Sequence, residues 1–373
     1  MFDNSSTRVP FSGSYAKDDV DFLLKPVQMR PTGIDEKEAA IQSGRRHYSE
    51  MISEEARPDQ RYLSIFEDAW QRGRERIAAE VMAIAREIRA GVEEGSLPAQ
   101  VTLCSLVRAG APLGVLLHRA LRDLGVDSAH FGISIIRDRG IDMNAMRYVM
   151  GKRDPDGILF VDGWTGKGAI TRELRHTWTE NTGRRPVLVV LADPCGMADI
   201  AGSNDDWLIP SGILGANISG LISRSILNAD VVGENDFHGC IPVDHLQDID
   251  YSARFVDDIH GLMRQQQGAA LAEAVCQDQS SGTSNALTLD SASAVTRIME
   301  IYQTENPNRV KPGIAEATRA VLRRKPHHVL VSSEADPDLQ ALIHLCKEGG
   351  VDYSVRPDLT GPYRAVTVIS KVS

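Results

Sequence analysis

The chain has 373 residues, enough for about two or three domains. Its apolar fraction of 42% and charged fraction of 25% are those of an ordinary folded protein, not of a disordered or collagen-like chain. A net charge of −10 argues against general coating of nucleic acid and leaves a local basic face open.

No apolar run approaches the ~20 residues that span a bilayer, so no membrane partner is expected. The start, Met1-Phe2-Asp3-Asn4, lacks a secretory signal's basic and apolar regions. The five cysteines (Cys104, Cys195, Cys240, Cys276, Cys346) show neither metal-ligand spacing nor a disulfide framework. A reducing, cytoplasmic setting is expected.

Residues 1–60 read as irregular with short helices, including His47-Tyr48-Ser49-Glu50-Met51. A long amphipathic helix is predicted over 62–90, with Ile65, Trp70, Ile77, Val81, Ile84 and Ile88 toward a core. Residues 1–80 thus form an N-terminal extension with the start of that helix. Strand and helix then alternate to about Asn228, which predicts βαβ units and a parallel sheet in a domain over 81–262. The glutamine- and serine-rich stretch 263–293 reads as a linker. Residues 294–373 form a separate unit.

Two loops carry chemistry. A buried strand over 101–104 leads into Ser105-Leu106-Val107-Arg108-Ala109-Gly110-Ala111-Pro112 and then a helix. Arg108 can fork onto a pair of phosphate oxygens, and Pro112 suits the first helical turn. Farther on, Gly157 to Val161 reads as a strand ending in Asp162, followed by Gly163-Trp164-Thr165-Gly166-Lys167-Gly168 and a helix to about Thr179. Glycines let backbone N–H groups turn toward an anion, and the helix N-terminus adds a favourable dipole. The loop has neither the Walker A nor the dinucleotide spacing. A tight strand-to-helix turn explains its glycines equally well until the Arg-Ala-Gly loop is set beside it. Two anion-ready loops then suggest one diphosphate ligand gripped at both ends.

Between them, Ile133 to Ile136 reads as a strand, followed by Arg137-Asp138-Arg139-Gly140. After a strand over 187–192 come Asp193-Pro194-Cys195-Gly196 and Ser203-Asn204-Asp205-Asp206-Trp207.

The paired loops resemble those of type I phosphoribosyltransferases over roughly residues 80–230. Arg108, Ala109 and Gly110 are similar to the family's pyrophosphate loop. Val161-Asp162 with Thr165, Gly166, Lys167 and Gly168 is similar to its phosphoribosyl-diphosphate loop. The resemblance implies an α/β fold with a phosphoribosyltransferase-like parallel sheet, binding phosphoribosyl diphosphate or a nucleotide with Mg²⁺. Asp162 would hold the ribose, and Arg137 and Arg139 would close over the departing pyrophosphate. Trp207 would stack on a base. Asp193, Asp205 and Asp206 would be the acids for the metal. The chain departs from the pattern at Gly163, where the family has a second acid, and its loop from acid to threonine is shorter.

The His-Tyr-Ser-Glu-Met segment, Arg-Ala-Gly and Asp-Pro-Cys-Gly together resemble a bacterial family tied to tellurium resistance and stress operons, also catalogued as a cysteine protease. That resemblance makes Cys195 an alternative nucleophile, with His47, His238 or His245 as candidate bases. The plain reading is a small buried cysteine after a strand.

The last unit opens with Asn308-Arg309-Val310-Lys311-Pro312-Gly313-Ile314-Ala315-Glu316-Ala317-Thr318-Arg319 as a helix start, followed by strands near 329–333, 351–355 and 365–369 and a helix over 337–347. This α-β-α layout resembles the Pelota-like RNA-binding domains. It implies contact with structured RNA through Lys311, Gly313, Glu316 and Arg319, although Ala315 stands where an asparagine is usual. The whole reads as a phosphoribosyltransferase-like enzyme coupled to an RNA-binding domain. The alternatives are a cysteine hydrolase using Cys195 and a nucleotide or RNA-end sensor without turnover. The base, the RNA and self-association stay open.

Overall fold

The computed structural model describes residues 9–268 and 281–371. The principal elements, in chain order, are β1 (Asp21–Phe22), α1 (Gln60–Glu93), β2 (Gln100–Leu106), α2 (Gly110–Asp123), β3 (Asp127–Ile133) and α3 (Met143–Met150). They continue with β4 (Ile158–Trp164), α4 (Ala169–Thr182), β5 (Val187–Ala192), β6 (Ile200–Ser203), α5 (Ser252–Gly268) and α6 (Ser281–Ile301). The last are β7 (Val310–Pro312), α7 (Ile314–Arg323), β8 (Pro326–Val331), α8 (Gln340–Glu348), β9 (Tyr353–Val355) and β10 (Ala365–Ile369).

Strands β1 to β6 form one parallel sheet in the order β1-β3-β2-β4-β5-β6. The central strands are largely buried and mostly apolar, as a sheet covered on both faces demands. Alternate residues serve alternate faces. Leu103, Val161 and Val189 join the core beneath α1 and α2, while Cys104, Phe160 and Val190 join the core beneath α3 and α4.

Helix α1 starts where the Asp59 carboxylate accepts the N–H of Tyr62 at 2.7 Å. Its stripe Tyr62, Phe66, Trp70, Ile77, Val81, Ile84 and Ile88 is buried at helical spacing. The direction in which strands are added to the sheet reverses at β2: one crossover leads to β3 on one side, and β4 lies on the other. The loops after β2 and β4 therefore meet at the topological switch point, where open α/β sheets bind ligands.

The stretch expected as a linker, 263–293, is helical in its described parts. The three glutamines sit in the last turns of α5, and Met263, Ser291 and Ala294 are buried. Packing at those positions overrides the polar composition around them.

The C-terminal sheet has the order β7-β10-β8-β9, with β10 antiparallel to both β7 and β8 and β9 parallel to β8. Val310-Lys311-Pro312 is a strand that precedes the helix, not the helix start itself. Val310 pairs with Val368 and is fully buried.

Candidate functional site

A cavity of about 350 Å³ opens at the switch point, walled on one side by the loops after β2 and β4 and on the other by β7 and α7. Arg108, Ala109, Asp162, Thr165, Gly166, Lys167 and Gly168 line it with Lys311, Glu316 and Arg319. The phosphate loop and the RNA-contact segment, expected as two sites, share one pocket.

β4 runs two residues past Asp162, to Trp164, and the Asp162 carboxylate accepts the N–H of Gly163 at 2.8 Å. Burial pushes its pKa up to about 7, opposed by that N–H and by Arg319. The next position is tight for any side chain: a Cβ on Gly163 would stand 3.0 Å from the Ala109 carbonyl oxygen. Gly110 is tighter still, because a Cβ there would meet the Val161 oxygen at 2.1 Å. That approach lets the two loops touch.

Gly168 caps α4 at φ +71°, a left-handed conformation that suits glycine. Lys167 donates to the carbonyls of Pro307 and Val310, both from the C-terminal domain. Burial lowers its pKa to about 7, with Lys311 and Arg137 adding repulsion. Burial also lowers Lys311 to about 8. Burial and Arg323 together lower Arg319 to about 10, and its guanidinium lies 4.7 Å from the Trp164 ring centre. Burial works to raise Glu316, but Lys311, Arg319, Arg137 and Lys167 outweigh it and hold it low. The pocket is thus an excess of half-desolvated cations around two carboxylates.

Arg137 donates to Asn308 at 3.0 Å, while Arg139 lies 3.7 Å from Glu50 on the outer rim. Gly313, at φ +89°, caps α7, and the following N–H of Ile314 is held by the Asp206 carboxylate at 3.0 Å.

Several expected roles need correction. The Arg108 guanidinium is not free for a diphosphate: Glu55 accepts from it at 2.8 Å and the Ile222 carbonyl at 3.0 Å. Trp207 offers no ring face to a base, because it is 4% exposed and covered by the Arg76 guanidinium at 4.4 Å. Asp205 is paired with Arg76 and Arg364. Asp206 accepts backbone N–H groups of Ile314 and Arg364. Asp193 accepts from the Thr165 hydroxyl and the N–H groups of Met197 and Ala198. These three acids do not fit Mg²⁺, and no group of three metal-type ligands occurs among the described residues.

Cys195 lies on the loop after β5, 1% exposed, with its thiol 3.9 Å from Asp193. Burial, then Asp193, pushes its pKa up to about 12. The candidate bases are occupied elsewhere: His47 with Ser49, His238 with Ser134, and His245 with the Glu55 carbonyl.

Sequence reasoning missed Glu55, Tyr48, Arg224, Arg323 and Tyr363. Tyr363 donates to the Gly166 carbonyl at 3.0 Å. Arg224 donates to the Tyr48 carbonyl at 2.8 Å. None carries a local motif, although the quoted His47-Tyr48-Ser49 segment marks one wall.

A family model described as tellurite-like stress resistance cysteine protease StiP matches residues 13–260, and one described as PELOTA RNA binding domain matches residues 289–371. A protein named cysteine protease StiP, from Acinetobacter baylyi (strain ATCC 33305 / BD413 / ADP1), is 46% identical over 376 residues, 97% of this chain and 95% of that protein. Two solved structures of Trypanosoma cruzi hypoxanthine phosphoribosyltransferase are 19% and 18% identical, each with a TM-score of 0.28. They cover 36% of this chain and 82% and 78% of their own.

The α/β class with a parallel sheet and a Pelota domain after it is the expected one. Phosphoribosyl transfer as the activity is overturned, since the 46% identical relative is named for a cysteine protease, a hydrolase. No helix among the described residues is long and apolar enough to cross a membrane. The family match over 13–260 and the relative that spans nearly the whole chain agree, and the chain belongs to the StiP family of tellurite-like stress resistance proteins.

Proposed function

We propose that this protein is a stress-response member of a hydrolase family that holds a phosphorylated ligand, a nucleotide or an RNA end, between its two domains. The observation that supports this is the convergence of Lys167, Lys311 and Arg319, from both domains, on one cavity beside Asp162. Burial lowers the pKa of all three and brings Lys167 to about 7, and a phosphate would hold that lysine charged. The volume falls in the range of about 300–1,000 Å³ that small-ligand sites occupy. Calorimetric titration with a nucleoside 5′-monophosphate tests it. Binding that weakens at least tenfold in Lys167→Ala supports the reading, on the scale of one charge-assisted hydrogen bond of about 1.5–3 kcal/mol. No heat of binding, or equal affinity in the variant, removes it.

The second reading is hydrolysis through Cys195. It is supported by the name of the relative and by the position of Cys195 on the ligand edge of the sheet, with its N–H 3.5 Å from the Thr165 hydroxyl. A thiol at about 12 is not a nucleophile at neutral pH. This reading therefore requires the loop over 193–199 to move and a base to reach it. Peptidase activity that vanishes in Cys195→Ser would establish it.

A further inference from the structure

A groove of about 1170 Å³ runs from the surface to the mouth of the pocket. The two cavities share Tyr48, Arg137, Lys311 and Arg324 on their walls, so they are continuous. Three parts of the chain build the groove: the N-terminal extension at Arg45 and Arg46, the loop at Arg137 to Arg139, and the C-terminal domain at Arg309 and Lys371.

Its charge is one-sided. Eight lysines and arginines line it against three carboxylates, on a chain whose net charge is −10. Glu50 is shared by Arg46 and Arg139, and Arg324 is paired with Glu38. Among the described residues, Arg45, Arg137, Arg309, Lys311 and Lys371 form no ion pair. A solvated helix face balances its charges along its own surface. This groove gathers unpaired cations from segments far apart in sequence, which is the arrangement that tracks a phosphate backbone.

We infer that this groove is the path of a single-stranded RNA whose terminal phosphate monoester seats in the pocket, with the segment of Arg45 and Arg46 as one wall. The inference rests on the pocket reading above. RNA is favoured over an acidic peptide because Arg309, Lys311, Arg324 and Lys371, which line the groove, and α7, which walls the pocket, belong to the part of the chain matched as an RNA-binding domain. A single strand is favoured over a duplex because the pocket is of single-nucleotide size and a paired end brings two nucleotides to it.

Fluorescence anisotropy on the full chain tests this with a labelled oligouridylate carrying a 5′-phosphate, a 3′-phosphate or neither, and with a blunt RNA duplex. Calorimetry with a nucleoside 5′-monophosphate runs beside it. The variant is Arg45→Ala with Arg46→Ala; both side chains are exposed and neither lines the pocket. One of the two phosphorylated strands should bind about tenfold tighter than the unphosphorylated strand, and the duplex more weakly than any of them. The variant should lower the slope of log affinity against log salt by about 1.4, the share of two phosphates on a single strand. Its affinity for the monophosphate should stay the same.

Oligonucleotide affinity and salt slope unchanged in the variant would overturn the path. So would a duplex that binds as well as the strand, or hexaglutamate that displaces the strand at equal concentration. A strand held through Arg45 and Arg46 without regard to its terminal phosphate, with no monophosphate binding, would overturn the pocket reading and the seat while the groove remained.

Discussion

The carboxylate of Asp206 accepts the backbone N–H of Ile314 at 3.0 Å, so a residue of the sheet domain caps the helix that opens the C-terminal domain's cationic segment. It also accepts the N–H of Arg364 at 2.7 Å. One buried side chain thereby fixes the angle at which Lys311, Glu316 and Arg319 face the glycine loop. The Ile314 N–H is thereby taken and is not offered to a phosphate.

Asp206→Ala should destabilise the chain by about 2–4 kcal/mol, as a lost cap and two buried N–H groups without partners imply. Thermal unfolding checks this. A change under about 0.5 kcal/mol, ordinary for a surface site, would mean that the domains are held together elsewhere.

The same residue sets a pH dependence. Burial pushes Asp206 up to about 7, whereas an unfolded aspartate titrates near about 3.9. Between those values the folded chain keeps a proton that the unfolded chain has released. The group's contribution is full below the lower value and is lost as pH rises through 7. Asp206→Asn removes this loss, so the variant should gain stability relative to wild type between pH 5 and pH 8. Parallel melting curves across that range would contradict it.

Arg108→Ala should cost about 3–5 kcal/mol, the usual penalty for breaking a buried ion pair. Glu55 would keep the backbone N–H of Ala216 and the ion pair with Arg323, at 3.5 Å. Denaturant unfolding measures it. A stable variant that has lost ligand affinity would instead return Arg108 to direct phosphate contact.

Asp162→Ala should abolish binding of a ribose phosphate and leave the fold intact, because the residue lies near the C-terminal end of β4 and lines the pocket. Calorimetry on the variant decides it, and unchanged affinity would remove Asp162 from the site.

Native Cys195 should react with iodoacetamide at least ~100-fold slower than a free thiol of pKa ~8.5, because its thiolate is scarce and covered. Mass mapping of alkylation over time reads this. Rapid labelling at neutral pH, lost in Cys195→Ser, would favour the hydrolase reading.

The sequence by itself determined the parallel sheet, the long helix over 60–93, both strand-loop-helix motifs and the resemblances to the stress-resistance family and to the Pelota domain. Each rests on a local signal. A run such as Ile158 to Val161 is apolar because both faces of its strand are covered, and Gly168 is glycine because its own φ is positive. Only the tertiary structure decided what those motifs face. Arg108 reads as a phosphate ligand until the chain returns Glu55 to it from 53 residues away. Trp207 reads as a base platform until α1 brings Arg76 over its ring. The composition of 263–293 suggests a break, yet α6 continues through Ser291 because Ala294 and Ile298 are buried beyond it. The joining of the glycine loop to the RNA-contact segment depends on pairs such as Gly166 with Tyr363, 197 residues apart. Desolvation and ion pairing at that range follow from the packing of whole elements, and no window of sequence contains both partners.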